Sequence, residues 1–213
     1  MIDNMPKDKI LILAPHTDDG ELGCGGTIAR LVEEGHDVFY VAFSICEESV
    51  PEGFPKNALE IEVKKATASL GIKPDKLILK GYPVRKFNSY RQDILEDLVL
   101  LRKNINPDIV FLPVSTSLHQ DHYTIFQEGI RAFKHFTVYG YDLPWDTIHF
   151  SSNAFFKLEE RHVAKKWEAL TYYETQKWRT YCDKEFIYGL ARVRGAQLGI
   201  KYAEVFENIR SIH

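Results

Sequence analysis

A chain of 213 residues with 45% hydrophobic and 27% charged side chains has the makeup of one globular domain of ordinary size. Its formal net charge of −3 leaves no basic footprint for nucleic acid, and no apolar run is long enough to span a bilayer, so neither nucleic acid nor membrane insertion is expected. Cys24, Cys46 and Cys182 are odd in number and widely spaced, which fits neither a disulfide framework nor a cysteine-built zinc site and makes a reducing cytoplasm the expected compartment.

The polar start, residues 1–9, lacks the apolar core of a signal peptide. Residues 10–14 (ILILA) read as a strand buried on both faces, ended by Pro15. Residues 27–34 read as a helix stopped by Gly35, and 38–43 as a second strand. Two prolines and one glycine make 47–57 a loop. A helix over 59–70 ends at Gly71, and a short strand follows over 76–79. Residues 90–104 carry Ile94, Leu95, Leu98 and Leu101 at helical spacing, and 108–113 form another buried strand. Strand and helix thus alternate four times. That pattern predicts an α/β fold, a single domain over residues 1–213 with a Rossmann-like, mainly parallel sheet flanked by helices. Further on, helices are expected over 123–133, 159–173 and 184–198, strands over 137–141 and 147–150, and a final edge strand over 202–206.

Two polar clusters follow predicted strands. His16, Asp18 and Asp19 come directly after the first, and His119, Asp121 and His122 after the strand over 108–113. In an open α/β sheet such ends share one edge, so clusters a hundred residues apart can meet. Two imidazoles and a carboxylate satisfy a catalytic zinc, which takes three protein ligands and keeps one position open. A free carboxylate beside it can move a proton, and a further imidazole can stabilise an oxyanion. Each residue also has a plain structural use: Asp18 or Asp19 as a helix N-cap, His119 as the cap of the next helix.

Other candidates are weaker. The glycines at 20, 23, 25 and 26 fail the G-x-G-x-x-G dinucleotide pattern, because Ile28 occupies the sixth position counted from Gly23. They are read instead as letting a helix approach the sheet. Arg91, Arg194 and Tyr141 are candidate substrate contacts: Arg91 starts a helix after a loop, and Tyr141 with Tyr139 and Trp145 offers an aromatic wall for a ring-shaped ligand. No G-x-S-x-G elbow occurs.

The segment His16-Thr17-Asp18-Asp19 with its glycine-rich helix start, together with His119-Gln120-Asp121-His122, resembles the signatures of the PIG-L/LmbE-like zinc deacetylases, His-Pro-Asp-Asp-Glu and His-x-Asp-His. The segment from Arg194 to Phe206 is similar to the bacillithiol-pathway sugar deacetylases. The resemblance implies His16, Asp19 and His122 as ligands of Zn2+, with Fe2+ as an alternative metal. It implies Asp18 as general base and then acid, His119 as the oxyanion-stabilising imidazole, and Asp121 as the group that orients His119 and holds it cationic. It also implies a small-molecule amino-sugar substrate whose N-acetyl group is hydrolysed to acetate, and a tendency to homo-oligomers. Thr17 and Gly20 depart from the family's Pro and Glu, and Leu59 stands where many relatives have an Arg. The alternatives are a Rossmann-type sugar- or nucleotide-binding module without catalysis, and a zinc hydrolase acting on an ester or carbamoyl bond.

Overall fold

The apolar run after residue 9 sets the architecture. In a computed structural model, which describes residues 7–212, Ile10 to Ala14 are wholly buried. Their side chains alternate between two cores, Ile10, Ile12 and Ala14 in one and Leu11 and Leu13 in the other, so this strand is covered on both faces. Residues 1–6 and His213, to which the readings of the polar start and the chain ends extend, lie outside the described residues.

The elements run β1 (Lys9–Ala14), α1 (Asp19–Glu33), β2 (Asp37–Ala42), α2 (Ala58–Ser69), β3 (Leu77–Leu79), α3 (Arg91–Ile105), β4 (Ile109–Pro113), α4 (Gln120–Ala132), β5 (Thr137–Tyr141), β6 (Ala154–Leu158), α5 (Glu160–Thr171), α6 (Lys184–Ala196) and β7 (Tyr202–Arg210). They build one seven-stranded α/β sheet in the order β3-β2-β1-β4-β5-β7-β6. The five strands from β3 to β5 pair in parallel, and β7 runs antiparallel to both β5 and β6. Strand order reverses between β1 and β4, which pair through Ile10–Ile109, Leu11–Val110 and Ile12–Phe111. Such a switch point opens a crevice at the carboxyl ends of the two strands. Both polar clusters leave the sheet there.

Three local expectations are corrected. Helix α1 begins at Asp19 rather than residue 27, because packing overrides the low helix propensity of its glycines. A Cβ at Gly20 would lie 2.4 Å from the Tyr40 ring, and one at Gly23 2.4 Å from the Tyr141 ring. Residues 147–150 are not a strand: Thr147 makes only an isolated bridge to Ser117, and Ile148 is exposed, so the run has no buried face to hold it in the sheet. Strand β6 forms later in the chain. Strand β7 is longer than expected and interior, flanked by β5 and β6 on its two sides.

Candidate active site

Just past β1, the side chains of His16 and Asp19 turn toward α4, the helix that follows β4. His16 Nδ1 lies 3.0 Å from Asp19 Oδ2, His122 Nε2 lies 3.2 Å from the same oxygen, and the two imidazole nitrogens are 3.2 Å apart. Three donor atoms at the corners of a near-equilateral triangle fit one small cation. Tetrahedral zinc with bonds of about 2.0–2.1 Å separates its ligands by roughly 3.3 Å. The imidazoles of His16, His119 and His122 also gather, their nitrogens within 4.8 Å of one another. The triangle completed by Asp19, with separations of 3.0 to 3.2 Å, matches the ligand spacing around one small cation.

The outward nitrogens are also engaged. His16 Nε2 lies 3.1 Å from Asp121 Oδ2, and His122 Nδ1 lies 3.0 Å from Ser117 Oγ and 3.1 Å from Asp146 Oδ2. A carboxylate behind each histidine fixes its ring and tautomer and raises its basicity as a ligand. Burial works against a charged imidazole at both positions, but Asp19 and the second carboxylate outweigh it, so His16 and His122 titrate above the usual histidine range. Asp19 responds in the opposite sense: despite its burial, His122 and His16 hold its carboxylate well below the usual range. Its Oδ2 also accepts the His16 backbone N–H at 2.8 Å.

Asp18 differs from its neighbour. It caps the start of α1 without a side-chain hydrogen bond to the helix and lines the cavity. Burial and the adjacent Asp19 push its carboxyl up to about 6. Adjacent residues at a strand-to-helix turn thus have divided environments, one carboxylate locked among imidazoles and the other poised near neutrality.

His119 is the N-cap of α4, and its Nδ1 accepts the Asp121 backbone N–H at 3.2 Å. Its ring stacks on His122 with centroids 4.7 Å apart. Burial and the neighbouring imidazoles of His16 and His122 lower its pKa to about 4. Asp121, expected to orient His119 and hold it cationic, meets that ring through its backbone N–H. The Asp121 carboxylate is buried and turned toward β1, where it accepts from His16 Nε2 and from the backbone N–H groups of Arg85 and Phe87. With Nδ1 acting as acceptor, the neutral His119 ring carries its proton on Nε2.

Beneath the cluster, Glu21 is fully buried between the hydroxyls of Tyr40 and Tyr173, which also reach the Thr17 carbonyl. Burial pushes the Glu21 carboxyl up to about 8. Tyr40 fills the space that a side chain at position 20 would need, and its hydroxyl accepts the Gly20 N–H. The Gly20 departure from the family pattern is therefore matched by Tyr40.

A cavity of about 350 Å³ opens over the cluster, within the size range of small-molecule sites. His16, Asp18, Asp19, His119 and His122 all line it. So does Leu59, an apolar wall where relatives carry an Arg. Of the three expected substrate contacts, none reaches it. Arg91 pairs with the buried Glu128 of α4. Arg194 lies near Asp142 and over the Phe150 ring, beside a second, smaller cavity. Tyr141 is wholly buried, its hydroxyl donating to the Leu13 carbonyl at 2.9 Å. Trp145, the third member of the expected aromatic wall, does line the cavity, stacked face to face on Tyr181 at 3.7 Å. Sequence reasoning missed Asp146, Arg85, Gln176 and Arg179, which also border it. Only Asp146 had a readable signal, a carboxylate in the loop after a third parallel strand.

Known proteins resemble the chain in sequence and in fold. The chain is 27% identical over 174 residues to the uncharacterized deacetylase YaiS of Escherichia coli, covering 76% of this chain and 88% of that protein. It is 28% identical over 133 residues to the diacetylchitobiose deacetylase of Thermococcus kodakarensis, covering 58% of this chain and 48% of that one. Its structure is similar to that of the conserved protein TT1542 from Thermus thermophilus, with a TM-score of 0.81, 25% identity, and 97% and 96% of the two chains covered. The family model described as PIG-L, GlcNAc-PI de-N-acetylase, matches residues 11–133, a span that runs from β1 through α4 and contains both polar clusters. The chain belongs to the PIG-L family.

Proposed function

We propose that the protein is a metal-dependent amidohydrolase that removes the N-acetyl group from an amino sugar or a conjugate of one, releasing acetate. The observation that carries this reading is the donor triangle of His16, Asp19 and His122 with Asp18 beside it on the same cavity wall. Zinc is the metal this reading favours, because two imidazoles and one carboxylate with a cavity in front suit a catalytic zinc that keeps an open position. When bound, it supplies Lewis acidity and lowers the pKa of water at the site.

The remaining chemistry belongs to side chains. Asp18, with its carboxyl near 6, is ionised at neutral pH yet basic enough to take a proton from the attacking water. The same carboxyl then returns that proton to the departing amine. Neutral His119 donates from Nε2 to the carbonyl oxygen as negative charge develops there, a role that needs an N–H in place and not a charge. Asp121 and Asp146 hold the two ligand imidazoles in orientation from behind. Leu59, Val84 and Trp145 provide apolar surface for the substrate's ring faces.

The test is acetate and amine release from a panel of N-acetylated and O-acetylated glucosamine derivatives by the zinc-loaded protein. Turnover confined to the N-acetyl compounds supports the reading. Turnover of esters alone assigns another bond, and sugar binding without turnover leaves a binding module.

A further inference from the structure

The two adjacent aspartates are fixed in different ways. Asp19 is held by the imidazoles of His16 and His122. Asp18 has no such hold: among the described residues no side chain of another residue hydrogen-bonds its carboxylate, and it makes no capping bond to α1. The direction in which Asp18 faces the cavity is therefore set by the main chain that carries it.

That main chain is gripped from beneath. The Thr17 carbonyl accepts from the Tyr40 hydroxyl at 2.9 Å and from the Tyr173 hydroxyl at 2.7 Å. A carbonyl oxygen offers two lone pairs, and two donors use both. The peptide it belongs to is planar and includes the Asp18 nitrogen, so an oxygen held from two sides fixes the plane from which Asp18 departs. Beyond the aspartates, the Gly20 N–H donates to the same Tyr40 hydroxyl at 3.1 Å. Thr17 has no ring to fix its φ, as the proline of the family signature has. The two hydroxyls supply that restraint from outside.

The grip is itself assembled from distant parts of the chain. Tyr40 lies on β2 and Tyr173 just past α5, and both are buried. The Glu21 carboxyl sits against both hydroxyls, Oε1 2.9 Å from that of Tyr173 and Oε2 beside that of Tyr40, and keeps them over the carbonyl. Packing alone does not call for these oxygens. A phenylalanine at either position would fill the same space, and a hydroxyl taken out of water costs free energy unless it is bonded. What the oxygens add is a hold on the one peptide that leads into Asp18.

We propose that Tyr40 and Tyr173 are positioning residues for the reaction: through the Thr17 carbonyl they keep the Asp18 carboxylate aimed at the donor triangle. The role of Asp18 rests on the deacetylase reading, while the placement of its carboxylate does not. The two metal-ligand candidates on the same turn depend on the grip less, because His16 and Asp19 also bond each other, at 3.0 Å between side chains and 2.8 Å from the His16 N–H.

The experiment measures zinc content, kcat and KM on an alkyl N-acetylglucosaminide for wild type, Tyr173→Phe and Tyr40→Phe, each alone and combined with Asp18→Asn, at a temperature where melts show every protein folded. Each Phe variant is expected to keep one equivalent of zinc and the KM of wild type and to lose about 10- to 100-fold in kcat, the usual cost of a small misplacement of a reacting group. In the Asp18→Asn background the same changes should cost nothing further, because the carboxylate they aim is gone. Unchanged kcat in both Phe variants overturns the proposal. So does a loss of equal size with and without the Asp18 carboxylate, or a loss that tracks missing zinc, since either marks the tyrosines as scaffold for the whole turn. Crystal structures of metal-free wild type and Tyr173→Phe give a readout that needs no turnover, with Tyr40→Phe in its place if that variant does not fold. An Asp18 carboxylate held in one place in wild type and shifted or split in the variant supports the proposal, and the same place in both overturns it. If wild type hydrolyses no N-acetyl compound, the deacetylase reading fails on its own, and these structures decide the grip on Asp18.

Discussion

His16 Nδ1 and His122 Nε2 stand 3.2 Å apart, although 106 positions separate the two residues in the chain. One follows β1 and the other lies in the first turn of the helix after β4, and those strands are hydrogen-bonded neighbours at the reversal of strand order. Two bare imidazole nitrogens facing each other at that distance repel unless a proton or a cation lies between them. Asp19 Oδ2 completes the arrangement at 3.0 and 3.2 Å.

The carboxylates behind the two histidines are expected to set metal affinity. Asp121→Asn and Asp146→Asn each remove the partner charge from the outward nitrogen of one ligand imidazole. Competition against a chelator of known affinity should show a loss of about 10- to 100-fold in each variant. Unchanged affinity in both would mean that the rings are fixed by packing alone.

Activity should fall on the acid side as Asp18 takes up a proton. Burial and Asp19 raise this carboxyl to about 6, and a cation in the triangle favours its charged form. The acid limb of kcat/KM is therefore expected with an apparent pKa at or below about 6. It should disappear from the residual activity of Asp18→Asn. A limb that persists unchanged in that variant belongs to another group.

Glu21 predicts a stability profile of definite sign. Its folded pKa of about 8 lies above the ordinary glutamate value of 4.5, so between these values the native state holds a proton that the unfolded chain has released. Stability then falls as pH rises through that window, by up to about 1.4 kcal/mol per pH unit. Asp18 adds a contribution of the same sign between 3.8 and about 6. Thermal melts of wild type and Glu21→Gln at pH 5 and pH 8 are the check. The variant should lose much of the pH dependence between the two and gain on wild type at pH 8, since an amide carries no charge to bury. An equal slope in both proteins would show that Glu21 is ionised in the fold.

How much of this was readable before folding differs from residue to residue. The strand at 10–14 and the meeting of the His and Asp clusters at two strand ends were legible, because buried parallel strands are continuous apolar runs and their carboxyl ends share an edge. The partner of Asp121 was not. The family resemblance implied that the two side chains interact, but in the first turn of α4 the carboxylate points at His16 while the Asp121 N–H meets the His119 ring. Arg91 looked like a substrate contact from its place after a loop at the sheet edge, yet it turns toward the buried Glu128 of α4. Arg179 and Gln176 lay beyond any pattern, since they come from an irregular segment after α5 whose position depends on Glu62 of a helix far earlier in the chain.

The division of labour between adjacent aspartates is the centre of the account, and metal content measured alongside deacetylation in Asp18→Ala and Asp19→Ala tests it most directly. Asp18→Ala should keep one equivalent of zinc and lose about 10²- to 10⁴-fold in turnover, the usual share of a general acid–base group. Asp19→Ala should come off the column largely without metal. A metal-free Asp18→Ala beside a zinc-bearing Asp19→Ala would contradict the assignment.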